Sequence, residues 1–449
     1  MCDILKSVRE EIADIESVCI KTHIGSSEEV YNAAQPSLES MPLEIILKIC
    51  SYLDAEFLKT VLGKVCSRFD DILSDVSLWK HRVSCKVSGS FPPLSSIDTS
   101  IEDNVDWTEM CIEMEVEKNK WCNVDTEMSH FVIKDVHYAS VDAVILVNEG
   151  KTCISGGRDR CLALWNVMDF KSDESCEDNN ILNDFKPTKV KHDAHSGWIW
   201  DLATSDVPDS YIYSASWDNT VKAWDIKSEF ECVQTFQCKM SALSVIAYGY
   251  NVMAGLYSKK ILTFDVRNGN LPVNMYMPHR GPVLALTTYG NLVASVSEDK
   301  TLAIFDRVAG KIMENDIKIP SDKAYPVCLS WNTYAMYVSD SKGTLHLFSP
   351  NDHKYVRSHE LWPESDSETE RSNKIVGCYQ GQGTVICCSD RGQIKFLYNC
   401  SPPKEYHSIQ TNTADVTKLR YLNGILAVGT CDAALEFWIP KEEFNKPNL

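Results

Sequence analysis

The sequence predicts a mainly β chain with a small α module on its N-terminal side. Three observations carry that reading. The strand–turn–strand wording "SASWDNTVKAWDI" at residues 214–226 is one of seven related segments spread over residues 153–440. Ahead of them, residues 41–83 place apolar side chains at helical spacing. No run of about 20 apolar residues occurs, so no membrane-spanning helix is expected.

The chain of 449 residues is long enough for one large β domain and one or two small ones. Its 63 acidic residues exceed its 44 basic ones, a formal charge of -19. A protein that binds a phosphate backbone needs clustered Lys and Arg, so the balance argues against nucleic acid and against an anionic membrane surface. None of the 18 Cys forms a C-x-x-C pair or shows zinc-ligand spacing with His, so neither metal nor cofactor is expected. The opening "MCDILKSVREEIADIESVC" lacks the apolar core of a signal peptide. These features predict a soluble intracellular protein, cytoplasmic, nuclear or both, with reduced thiols.

The first element expected is an amphipathic helix and linker over residues 1–36. Leu5, Val8, Ile12, Ile15 and Cys19 step by 3 and 4, a short heptad seam. About two and a half heptads are marginal alone. Two readings stay open: the helix makes a homodimer, or it folds back on the module that follows.

That module occupies residues 37–84. Pro42 stands where a first helical turn tolerates proline. Leu43, Ile46, Leu47, Cys50 and Leu53 form one stripe, and Ile45 and Ile49 widen it beyond a single face. A helix apolar most of the way round must be covered on most sides. A module of this size buries too little surface to do so alone. It therefore shares its core with a partner, or else packs only on the rest of its own chain.

The same residues resemble the F-box. The resemblance lies in Met41-Pro42-Leu43-Glu44, the apolar run to Ser51-Tyr52-Leu53-Asp54, Val65-Cys66-Ser67-Arg68-Phe69 and Ser77-Leu78-Trp79. It implies docking on the Skp-type linker protein of an SCF ubiquitin ligase, and through it on a cullin. The implied docking residues are Pro42, Leu43, Ile45, Ile46, Ile49, Leu53, Leu58, Val65, Cys66, Leu78 and Trp79.

Residues 85–126 hold a linker and a helix. "SGSFPPLSSIDTS" is rich in Pro and Ser. Trp107, Cys111, Met114 and Trp121 then follow at helical spacing. This helix serves as a stalk, as ordinary core packing beneath the β domain, or as both.

The β domain is expected over residues 127–449. Its units close on Trp165, Trp224, Phe264, Phe305, Phe348, Leu397 and Trp438, with gaps of 59, 40, 41, 43, 49 and 41. The longer gaps hold acidic insertions at 168–186 and 363–373. Seven units at this period resemble the WD-repeat β-propeller, which implies a closed ring of seven blades. The last unit leaves no room for a fourth strand, and "MSHFVIKDV" at 128–136 is strand-like and unpaired. It is expected to complete the seventh blade and remove an open edge.

In the family pattern, a His, a Ser or Thr, the turn Asp and a Trp form a buried hydrogen-bond chain. His137, Ser155, Asp159 and Trp165 match it, as do His195, Asp218 and Trp224 with Ser214 or Ser216. His279 and Asp299, with Ser295 or Ser297, match it in the fourth unit, where Phe305 cannot donate. Recurrence at blade spacing reads as structural bracing rather than catalysis.

An F-box followed by a propeller resembles the F-box/WD-repeat family. That implies a non-catalytic substrate adaptor whose propeller holds proteins for ubiquitylation. A scaffold that assembles a complex without turnover is the alternative. The target-binding face is placed at Tyr138, Arg158, Trp198, Trp217, Lys239, Tyr257 and Arg280. Units five to seven offer Tyr325, Ser341, Lys374, Asp390, Asp415 and Cys431 at comparable places. Cations beside aromatics on such a face predict an acidic or phosphorylated target segment.

Overall fold

The structure, a computed structural model, describes residues 38–170, 185–207, 211–228, 230–321, 323–362, 373–413 and 415–445. The heptad seam at residues 5–19 and nearly all of both acidic insertions lie outside the described residues. The chain divides into two compact units, residues 1–52 and 53–449.

In the first unit, helix α1 (Leu43–Cys50) starts directly after Pro42, whose φ of -56° already suits a helix entry. Ile46 and Cys50 are buried, while Leu43 and Ile45 remain 47% and 48% exposed.

The second unit opens with helices α2 (Ala55–Thr60), α3 (Ser67–Leu73) and α4 (Val76–Ser84), followed by α5 (Trp107–Cys122). Asp75 caps α4 by accepting from the Ser77 N–H at 2.8 Å. Asp106 caps α5 by accepting from Thr108 and Glu109 at 3.1 and 3.0 Å. Leu58, Phe69, Leu73, Trp79 and Val83 are buried, and the Trp79 indole donates to the Leu73 carbonyl at 2.8 Å.

Helix α5 lies directly on the β domain. Trp121 stacks on Phe396 with ring centroids 4.2 Å apart. Met114 presses over Gly383, where an added Cβ would come within 2.5 Å of the Met114 Cγ. Glycine is what permits that approach. The helix is thus packed beneath the propeller, whatever it also does as an arm.

Seven four-stranded sheets make the propeller. Their first strands contact one another around the ring and so surround its axis. In every blade the turn between the second and third strands holds one residue in the left-handed region. These are Arg160, Asn219, Lys259, Lys300, Gly343, Gly392 and Ala433. Glycine meets that demand at no steric cost in two blades only.

The seventh blade joins three strands, Val416–Leu422, Ile425–Thr430 and Leu435–Pro440, to Met128–Ile133. Met128 faces Pro440 and Ile133 faces Leu435 in an antiparallel ladder. The strand expected to reach residue 136 stops at Ile133, because Asp135 turns the backbone to a φ of 68°.

Candidate functional site

The His–Ser–Asp sets are locked inside the blades. His195 Nδ1 lies 2.9 Å from Asp218 Oδ2, and its Nε2 lies 2.6 Å from Ser214 Oγ. Trp224 Nε1 donates to the same Oγ at 2.8 Å. One proton arrangement satisfies all three contacts. The indole donates to the hydroxyl, the hydroxyl donates to Nε2, and Nδ1–H donates to the carboxylate. Ser214 is therefore the hydroxyl of the set, whereas Ser216 accepts from the Asp218 N–H at 3.1 Å. His137, Ser155, Asp159 and Trp165 repeat the arrangement at 2.8, 2.8 and 3.0 Å.

The fourth blade departs from it. Thr301 Oγ1 stands between His279 Nδ1 and Asp299, at 2.7 and 2.6 Å, which leaves Asp299 3.8 Å from the ring. Ser295 takes Nε2 at 2.7 Å. The serines Ser155, Ser214 and Ser295 are at most 2% exposed. Each hydroxyl is committed to a blade and closed to a substrate, which is the geometry of a brace. Burial lowers the pKa of both His195 and His279, against the opposing pull of Asp218 and Asp299, so both rings are held neutral.

A cavity of about 660 Å³ opens on the ring's axis. Arg158, Trp200, Trp217 and Tyr257 line one side of its mouth. Trp198 leans on Trp200 and Trp217, each with centroids 6.3 Å away, and Tyr257 meets Trp217 edge-on at 5.7 Å. The rings make a continuous wall that leaves Trp198, Trp217 and Tyr257 43%, 42% and 51% exposed. Of the expected target-face residues, Tyr138, Trp198, Lys239 and Arg280 are exposed but do not line this mouth. Trp200 was not anticipated, although its place in "GWIWD" alternates with Trp198 along one strand face.

Arg158 is not free to meet an anion. Its guanidinium donates to both oxygens of Asp142 at 2.9 and 3.3 Å and lies over the rings of Trp198 and Trp200. The pairing was invisible in the sequence, because Asp142 sits on a different loop 16 positions earlier.

The expected linker-docking residues separate by exposure. Pro42, Leu43, Ile45 and Val65 are exposed, and Ile49, Leu53, Cys66 and Leu78 are half-buried. Ile46, Leu58 and Trp79 are at most 2% exposed and belong to the interior.

Three glutamates of α5 also escaped the sequence reading. Glu113 accepts from the Gln382 and Gly383 N–H groups and the Thr384 hydroxyl, at 3.1 to 3.3 Å. Glu115 takes Ala55, Arg82 and Lys86. Glu117 takes the Trp121 indole and the Tyr421 hydroxyl at 3.1 and 2.5 Å. The signal was the alternation "EMEVE", which sets acidic residues between Met114 and Val116 in the middle of the helix. Among the described residues, no cluster of His, Cys, Asp or Glu is arranged to hold a metal ion, and no helix is long and apolar enough to cross a membrane.

A family model described as F-box-like matches residues 38–84, and one described as WD domain, G-beta repeat matches residues 186–225. A helical F-box-like module ahead of a seven-bladed propeller is the domain order that F-box/WD-repeat proteins are named for, and the chain is similar to that class. In particular it is similar to the human F-box/WD repeat-containing protein 9, 29% identical over 92% of this chain and 85% of the relative. The bovine F-box/WD repeat-containing protein 9 is also 29% identical, over 90% of this chain and 83% of the relative. The F-box/WD repeat-containing protein mec-15 of Caenorhabditis elegans is 26% identical, over 74% of this chain and 79% of the relative. The solved structure of U3-55K shares the fold, with a TM-score of 0.58 at 12% identity, covering 70% of this chain and 98% of that one.

Proposed function

We propose that the chain is the substrate receptor of an SCF-type ubiquitin ligase. The F-box-like module docks on a Skp-type linker protein and through it on a cullin. The propeller holds a target protein, and ubiquitylation follows from raised effective concentration rather than from chemistry on this chain. The receptor works inside the cell. Domain limits at residues 37–84, 85–126 and 127–449 describe its docking module, arm and target-binding propeller.

The observation that carries this reading is surplus apolar exposure on the helical module. Leu58 and Trp79 are 1% exposed, so the module's own interior is closed. Yet Leu43 and Ile45 on α1 are about half exposed, and Val61 and Val65 of the second unit are 47% and 63% exposed. Surface of that kind marks an interaction site.

The test is capture of the linker protein and cullin by the full-length chain carrying Ile45→Asp together with Val65→Asp. Loss of both subunits with an unchanged melting temperature is expected. Undiminished capture overturns the reading. Point changes are cleaner than removal of residues 41–83, which would strip Ala55 and Arg82 from the buried Glu115 carboxylate.

A further inference from the structure

We infer that the mouth of the propeller receives an extended target segment that pairs an aromatic or aliphatic anchor with a basic residue, and not a phosphorylated one. The inference rests on the receptor reading above and deepens it by naming the partner's chemistry.

The charges around the mouth decide the sign. Arg158 is saturated by Asp142, whose residue is only 7% exposed. Lys418 and Arg420 both approach Asp201, at 2.9 and 3.5 Å. Three of the mouth's cations are thus already engaged by carboxylates. Lys374, the fourth in the lining, sits 5.8 Å from the Tyr325 ring centroid. By contrast, Glu298, Asp390 and Asp415 line the same mouth and form no ion pair among the described residues. The Asp390 carboxylate accepts the Lys374 backbone N–H at 3.0 Å.

A phosphate entering beside the aromatic wall would have to draw Arg158 away from Asp142. That would strand a nearly buried carboxylate and break two cation–ring contacts. A cationic side chain meets no such conflict. It finds three unpaired carboxylates on a chain of net charge -19, and charge complementarity of this kind steers association. The anchor is set by the wall. Arg158 lies over Trp200, and Trp198 stands outside the cavity lining, so the exposed ring surface within the mouth is that of Trp217 and Tyr257. Exposed Trp and Tyr at the rim of a cavity offer large apolar area at low entropic cost, the usual make-up of a binding hot spot.

The experiment uses the full chain and three labelled peptides of equal length, followed by fluorescence anisotropy. One carries Phe and Arg, the second replaces Arg by phosphoserine, and the third replaces Phe by Gly. The Phe–Arg peptide is expected to bind best, and Trp217→Ala with Tyr257→Ala should weaken it by about tenfold or more, as truncation of interface aromatics does. Glu298→Gln with Asp415→Asn should weaken the Phe–Arg peptide while leaving the melting temperature unchanged. Tighter binding of the phosphoserine peptide, equal binding of all three, or no binding of any overturns the inference. Linker-protein capture by the same preparation separates the two readings. A chain that keeps the linker yet prefers the phosphopeptide sinks only the present inference.

Discussion

The Glu115 carboxylate holds the Arg82 guanidinium through two contacts, at 2.5 and 2.9 Å, and one of its oxygens also accepts the Ala55 N–H at 2.7 Å. One side chain of α5 thereby secures α4 and the start of α2. Burial alone would raise this carboxyl, but hydrogen bonds from Arg82, Lys86 and Ala55 outweigh it and bring it from 4.5 down to about 2.

Glu115→Gln is expected to destabilise the second unit by roughly 3 kcal/mol at neutral pH, the worth of such a shift and of a broken buried pair. In the parent protein the unfolded chain takes up the proton first as pH falls. The contribution is therefore complete above about pH 4.5 and lost as pH approaches about 2. Urea unfolding at a series of pH values should show that slope in the parent and not in the variant.

His279 adds to the same acid loss in a higher pH window. Burial lowers it from 6.5 to about 4, with only partial compensation from Asp299. Between those values the unfolded chain binds a proton that the folded ring refuses, so stability falls with falling pH. The loss amounts to roughly 3 kcal/mol over that window. His279→Gln should flatten the pH dependence of urea midpoints between about 6.5 and 4, and an unaltered slope would count against a neutral buried ring.

Asp218→Ala should cost more than Asp299→Ala. Asp218 accepts from the His195 ring, the Ser196 and Thr220 N–H groups and the Thr220 hydroxyl. Asp299 serves the Arg280 and Thr301 N–H groups and the Thr301 hydroxyl, without the ring. Stranding a buried ring donor adds ~1–3 kcal/mol. Equal melting shifts for the two variants would show that the intervening Thr301 makes no energetic difference.

Phe131 tests the closure of the ring. It is 5% exposed on the strand that completes the seventh blade and meets Phe170, Phe185 and Phe444 at 5.5 to 6.1 Å. Phe131→Ala is expected to cost about 3–5 kcal/mol by leaving a cavity. Val132→Ala, half-buried on the next position, should cost under about 1.5 kcal/mol. Chemical denaturation of the two variants compares them directly.

The ring was legible because its signal is local and repeated. A turn and a large apolar closing residue recur, in four of six gaps near every 40 positions, so even blades that lack the Trp kept the period. The unpaired strand at 128 was legible by elimination, since the last unit had one strand too few. Within a blade the reading blurred. Ser214 and Ser216 point to the same strand face, and only depth in the blade assigns the first to His195. Thr301 went unnoticed because a hydroxyl beside the turn Asp gives no sign that it will intercept the ring. The engagement of Arg158 was hidden for a different reason. Counting Arg158 as an available cation ignored Asp142, and pairing between loops is set by the folded ring rather than by spacing.

The chain enters its propeller at Met128 and leaves it at Pro440, and those two residues stand opposite each other in one sheet. The circle therefore has a single doorway. Arm and tail share it, as the Lys441 amine shows by donating to the Asp125 carbonyl at 2.9 Å just outside the ring. A label placed on the tail reports on the arm's neighbourhood, while the opposite rim stays unencumbered by either end of the ring.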